Sequence, residues 1–422
     1  CHFKHYSNGD RTMTTKLRAA SFQDGAVTTA KIAADAVTAA KLADNSVVTA
    51  NISDGAVTQV KTTSVGQGKN IIVNGAMQVA QRATTANTTS SGVFTVDRMA
   101  LGIDSLGTWA TQQESLTSGA AYNAGFRKAF RIDCSVADAS PASSDNIFFQ
   151  YKIEGQDLNA FKKGTSAAEQ FTLQFWVKSN KTGTGQVLLI DADNSRAVGK
   201  TYTISSANTW EQKILTFPAD TTGSFDHDNA KSLEIEWALD AGSDFTSGTL
   251  PETWTSSSNQ IRSVNDFALG DSTDNDWAIT GIQLEVGALA TDFEHKTFAE
   301  DLHLCKRYFQ QFGGNSGYAT VAHVYAASSQ ELACDFRFNP PMRAIPSISW
   351  HSAGQSMTYR YQNNASQNFS RNSLNSDGSL GQLRSDGGSV WFAGWTHNVT
   401  GSAAGEIRVN NGHNFVKFTS EL

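Results

Sequence analysis

The chain has 422 residues, a net charge of −7, only 17% charged residues, 34 glycines, 24 phenylalanines and 9 tryptophans. That length provides roughly two to four domains with cores of their own. The absence of a Lys/Arg cluster argues against nucleic acid as a partner, and no apolar run approaches the ~20 residues of a membrane span, so membrane insertion is not expected.

Residues 1–23 show no pattern. Their start, Cys1–Tyr6, lacks the apolar stretch of a secretory signal, and Met13 is a candidate native start. Four decapeptides follow: Asp24–Ala33, Ala34–Ala43, Asp44–Ser53 and Asp54–Thr63. Val27, Val37, Val47 and Val57 recur at the period, and Ile32, Leu42 and Ile52 fall five residues after the first three. Heptads place apolar residues every 3.5 positions on average, so this is not a coiled coil. In a strand, a five-residue step switches faces, so a turn must intervene, and Asp24-Gly25, Asp44-Asn45 and Asp54-Gly55 suit one. A unit this small buries its apolar residues only against copies of itself, which makes residues 24–66 a multi-chain neck. The alternative for so simple an Ala/Thr-rich segment is disorder.

Residues 67–296 read as an antiparallel β-sandwich. Phe126–Cys134, Ile147–Glu154, Phe171–Lys178, Val187–Asp191, Trp210–Phe217, Leu233–Leu239 and Trp277–Val286 are strand-like. Phe171–Lys178 and Leu233–Leu239 alternate cleanly, which implies one buried and one wet face. Residues 297–312 then form a linking helix. Thr297 and Glu300 make a capping box, Phe298, Leu302, Cys305 and Phe309 form an apolar face, and Gly313-Gly314 stops it. Residues 313–422 return to β: Ala319–Ala326, Leu332–Phe338, Ser347–Trp350, Met357–Tyr361, Val390–Phe392, Glu406–Val409 and Phe415–Phe418 suggest a second, smaller sandwich, with Asn363–Gly388 as a long loop. The fold class is therefore mainly β: a fibrous neck, then two antiparallel sandwiches of jelly-roll type joined by a short helix. Cys1, Cys134, Cys305 and Cys334 form no framework and read as reduced thiols of a protein assembled in a cytoplasm.

The repeat resembles those of bacteriophage tail fibres. Asn70–Arg82 followed by Phe94–Arg98 is similar to the opening of the β-sandwich in such fibres. Ile282–Gly287, Phe293-Glu294 and Leu304–Phe309 look like the segment joining that sandwich to a distal domain. Pro341–Pro346 and Phe418–Leu422 match distal modules. The central sandwich also resembles carbohydrate-binding jelly rolls, on strand order and on Trp176, Trp210 and Trp277. The resemblance implies a homotrimeric virion protein without a cofactor. It would be docked to the tail or another virion protein by residues 1–23, with residues 313–422 binding a host-surface glycan or protein. A head fibre, or a tailspike-like polysaccharide-degrading enzyme, is the alternative.

Tyr359, Tyr361, Phe369, Trp391 and Trp395 are the candidate receptor residues, because exposed aromatics among polar groups stack on sugars. The same side chains also suit a sandwich core. No catalytic or metal site is expected. Gly270–Ser272 and Asp292–His295 are similar to blocks of one esterase class, but the intervening strand leaves no room for its parallel sheet. Neither Asp191–Asn194 nor Asp271–Asp276 matches an EF-hand, and both read as solvated turns. A carboxylate pair for glycoside cleavage stays open at this level. The stacked-coil period of a parallel β-helix is missing.

Overall fold

The computed structural model describes residues 69–312, 319–328, 331–350, 356–361, 365–370, 384–393, 404–409 and 416–422. The expected attachment segment, residues 1–23, and the expected neck, with Val27, Ile32, Val37, Leu42, Val47, Ile52 and Val57, lie outside the described residues. The chain divides after Val65, and residues 66–422 form one unit.

Two six-stranded antiparallel sheets make the central sandwich. In spatial order the first is β1 (Thr85–Thr88), β3 (Thr108–Ser115), β4 (Lys128–Val136), β12 (Asp276–Val286), β6 (Phe171–Ser179) and β9 (Glu211–Phe217). The second is β11 (Thr255–Ser256), β8 (Arg196–Ile204), β7 (Gly183–Asp191), β10 (Lys231–Ala241), β5 (Asn146–Glu154) and β2 (Ala100–Asp104). Period-two alternation builds the core. Phe171, Leu173, Phe175 and Val177 of β6 face Leu233, Ile235, Trp237 and Leu239 of β10 inside one apolar cluster. Trp237 and Phe175 meet edge-to-face at 5.6 Å between ring centroids, and Phe149 lies 5.4 Å from Trp277.

The wet outer face expected for β10 is not wet. Glu234 and Glu236 do point away from the core, yet they are 6% and 1% exposed. The connection between β10 and β12 covers this side, with Phe245 and Ile261 buried there. Arg262 reaches back to pair with Glu236, and Gln150 of β5 donates to the same carboxylate at 2.7 Å. The buried charge of Glu236 is tolerated because both of its carboxylate oxygens find a donor.

β12 holds two inward runs of opposite parity, Trp277/Ile279 and Ile282/Leu284. A bulge at Gly281 reconciles them: the register against β6 shifts between Thr280 and Gln283, and Gly281 adopts φ +65°. A Cβ there would also lie 2.6 Å from the Phe126 ring, so glycine is required twice over. The Asn70–Val79 segment is tied to the same stretch. Asn70 accepts from Leu284 N and donates to Ile282 O, while Asn74 bridges the Val79 and Asp97 backbones.

The capping box of Thr297 and Glu300 is present on the helix Phe298–Cys305. The apolar face differs from expectation. Cys305 is buried, but Leu302 is only partly so, and Phe298 is 54% exposed. Asp301 is buried instead, because its carboxylate accepts the Asn74 N–H. The helix also stops sooner, at Cys305, and Phe309 opens a strand.

That strand, β13 (Phe309–Phe312), pairs with β21 (Val416–Thr419), which also pairs with β16 (Ser347–Trp350). A six-stranded antiparallel sheet holds the remaining strands in the order β18 (Ala365–Ser370), β17 (Ser356–Tyr361), β20 (Ala404–Val409), β14 (Ala319–Ser328), β15 (Glu331–Arg337) and β19 (Gly387–Ala393). β18 falls within the expected Asn363–Gly388 loop.

Candidate functional site

The predicted receptor residues occupy two separated parts of the distal sheet. Tyr359 lies opposite Gln367 and Ile407, and Tyr361 opposite Ala365 and Gly405. Phe369 lies opposite Met357 on the edge strand β18. Trp391 lies opposite Ala333 on β19, the other edge. Five inter-strand steps of ~4.8 Å separate β18 from β19, about 24 Å along the sheet. The topology thus groups Tyr359, Tyr361 and Phe369 and sets Trp391 apart. Trp395 lies outside the described residues.

In the central sandwich, Trp277 is fully buried in the core, so it is unavailable to a ligand. Its polar atom lies in an aromatic interior with the hydroxyl of Tyr202, whose titration burial pushes far up, out of any working range. Trp210 is 8% exposed at a cleft of about 320 Å³. Two tight turns build that cleft. Gly119 takes φ +93° beside the indole, and Asn208 takes φ +56° with its N–H on Ser179 O at 2.7 Å. Lys178 pairs with Glu114 at 3.1 Å and sits 5.2 Å over the Trp210 ring. Here an indole edge, an ion pair, amide groups and hydroxyls converge, which is the mix of apolar and polar groups that orients a polyol. Sequence inspection singled out Trp210; the Lys178–Glu114 pair was not legible, because its partners lie on different strands.

A second cleft, about 440 Å³, gathers Asp138, Asp240, Asp266 and Asp271 at one end of the sandwich. Burial, with the negative charge of Asp266 and Asp271, pushes the Asp240 carboxyl up to about 6 despite a 2.8 Å hydrogen bond from Gly270 N. Burial likewise raises Asp266. Asp271 is held low by Lys181, its ammonium 2.6 Å away. Among the described residues no group of three or more His, Cys, Asp or Glu side chains is placed to hold a metal ion.

The expected solvated turn at Asp191–Asn194 is instead the mouth of a buried ion cluster. Lys163 and Asp191 have no exposed side-chain surface, and the ammonium meets Asp191 at 2.5 Å and Asp220 at 3.1 Å. Thr222 O and Gly223 O accept its other protons, and Arg196 braces Asp220. The cation in this oxygen cage is a lysine of the chain itself. In the other acidic loop, Asp276 is taken by Arg131 and accepts from Asn180 N.

The two esterase-like blocks stay apart. The His295 ring stacks near Phe126, which touches Gly281 in mid-strand, while Ser272 precedes β12 at Asp276. Those five residues of strand span about 17 Å, too far for a nucleophile and its base. Cys134 and Cys305 are free and buried, and burial raises both thiols, which makes them poor nucleophiles.

No protein-family model and no curated protein matches the sequence. Solved structures similar in part include the enzymatically active domain of tailspike protein 4 of bacteriophage CBA120, at 15% identity and TM-score 0.24 over 52% of this chain. The match spans about a fifth, 21%, of that tailspike chain. A family 11 carbohydrate-binding module of Clostridium thermocellum, solved with a β-1,3-1,4-mixed-linked tetrasaccharide, matches 49% of this chain and 90% of its own at 11% identity and TM-score 0.22. TmCBM61, solved with β-1,4-galactotriose, matches 52% and 99% at 8% identity and TM-score 0.24. Likeness at this level concerns the antiparallel β architecture and carries no argument about function.

Proposed function

We propose that the chain is a subunit of a homotrimeric bacteriophage tail fibre, docked to the virion by residues 1–23 and binding a host-surface glycan through its C-terminal β modules. The observation that carries this reading is the run of decapeptides at 24–63 set before two β modules in the order that tail fibres use. A repeat that cannot bury its own apolar residues demands copies, and copies multiply weak sites through effective concentration. Binding is noncovalent on this reading, and the protein is not an enzyme. The tyrosine group on β17, with Phe369, is the favoured glycan platform, and the Trp210 cleft is the second.

The test uses the purified full chain. It should sediment as a trimer, bind host cells, and be competed off by soluble host polysaccharide. Tyr359→Ala with Tyr361→Ala should weaken cell binding at least 10-fold, since each stacked ring contributes about 0.5–1.5 kcal/mol and three copies act together. Accumulation of shortened oligosaccharides from intact polysaccharide would instead establish a hydrolase, and immunogold on the capsid would make it a head fibre.

A further inference from the structure

We propose that the buried pair Lys163 and Asp191 condenses to an isopeptide amide, a covalent cross-link that the chain makes between the two sheets of its central sandwich. The reaction requires only one chain, and so neither the trimer nor the glycan. Lys163 precedes β6 of the first sheet, and Asp191 is the last residue of β7 in the second, 28 positions on. Neither side chain has exposed surface, and the Phe225 and Trp254 ring centroids each lie 5.1 Å from Nζ. Nζ stands 2.5 Å from Asp191 Oδ2, so a nucleophile and a carboxyl group are held in contact where water is excluded. Cys134 and Cys305 are free, so neither supplies a disulfide brace in this fold.

The two oxygens of Asp191 are placed for different parts. Oδ1 accepts from Asp193 N at 3.1 Å, from Asn194 N at 3.0 Å and from the Asn194 side-chain amide at 3.2 Å. Donors so fixed hold the oxyanion of a tetrahedral intermediate. Oδ2 faces the ammonium and is the leaving oxygen, with the Asn194 amide also 3.0 Å from it. Asp220, 3.1 Å from Nζ and braced by Arg196, is the proton carrier. One proton passes from the ammonium to Oδ2, which turns the ion pair into a neutral amine and a neutral acid. The Nζ lone pair then adds to Cγ, a second proton crosses from nitrogen to Oδ2 through Asp220, and the Cγ–Oδ2 bond breaks. One amide and one water result, and Asp220 ends as it began. The amide keeps one N–H, for which the Thr222 and Gly223 carbonyls are at hand. Two opposite charges that are costly to bury vanish together, and Asp220 with Arg196 remains as a balanced pair.

Intact mass spectrometry of the purified, folded full chain should find it lighter than its sequence by one water. A protease digest should then give a branched peptide in which Lys163 is joined to Asp191. Lys163→Met should restore the full sequence mass and lower the thermal midpoint, because the cross-link no longer restrains the unfolded chain. Asp191→Asn should form the same amide by losing ammonia, so that its product and that of the parent have identical masses, which no salt bridge can produce. Asp220→Asn should keep both partners and accumulate the cross-link more slowly; formation at the parent's rate overturns the role given to Asp220. A folded parent at full sequence mass, with Lys163 and Asp191 recovered in separate peptides, overturns the proposal. So does a water lost elsewhere in the chain while Lys163 stays free.

Discussion

Asp240 is the carboxyl group where burial has shifted chemistry most clearly. It is 4% exposed, and its folded value, pushed up to about 6, exceeds the ordinary 3.8. Between about pH 4 and 6 the native state therefore holds a proton that the unfolded chain has released. Stability contributed by this group falls as pH rises through that window and stays low above it. Asp240→Asn keeps an acceptor for Gly270 N and removes the charge. The variant should be more stable than the parent by about 1–3 kcal/mol at pH 8, with no gain at pH 4, read by urea denaturation at both pH values. Lys163 makes the opposite case: Asp191, Thr222 O and Gly223 O accept its three protons, and Lys163 and Arg196 together balance the charges of Asp191 and Asp220, so burial there is compensated.

β21 decides the distal half at the scale of elements. It is the middle strand of its three-stranded sheet, and its Phe418 is fully buried among Phe312, Phe336 and Phe338 at centroid distances of 5.7, 4.8 and 4.8 Å. It pairs with Phe309–Phe312 across more than a hundred residues of chain, and with the nearer Ser347–Trp350 on its other side. Phe418→Ala should cost about 3–5 kcal/mol, since the cavity is walled by aromatic rings that cannot collapse into it. Hydrogen exchange should quicken in β13, β16 and β21 while β10 and β12 keep their protection. Uniform loss across both sandwich sheets would contradict this assignment.

Across the whole of residues 66–422, the central sandwich and the C-terminal strands are joined by buried charge. Arg98 lies 3.5 Å from the centroid of the Tyr308 ring, pairs with Glu421, and donates to Lys152 O. Arg82 also pairs with Glu421, at 2.9 Å. Glu154 of β5 is fully buried and accepts from Arg307 at 2.9 and 2.6 Å and from the Tyr308 hydroxyl. Burial alone would raise its carboxyl; the bonds from Arg307 and Tyr308 outweigh it and hold Glu154 below its usual value. Its contribution is present above about pH 4.5 and is lost as pH falls through the lower folded value. The parent should unfold in a single calorimetric transition at pH 7, and Glu154→Gln should cost about 1–3 kcal/mol and separate the distal transition from the central one. A single unshifted transition in the variant would show that the modules are coupled elsewhere.

The sequence by itself determined the β class, the alternation of β6 and β10, and the capping box at Thr297. Each follows from local periodicity or from residue chemistry within a few positions. Only the tertiary structure decided that the outer face of β10 is covered, that Asp191 holds a lysine, that Trp277 is core, and that Phe369 and Trp391 stand at opposite edges of one sheet. β1–β3 and β8 carried too few large apolar residues to be legible as strands. The inward run of β12 changes parity at a bulge that no periodicity reveals. The physical reason is common to all of these: strand neighbours, loop cover and ion partners are set by contacts between residues far apart in sequence. A period of two says which side chains turn together, but not what they meet.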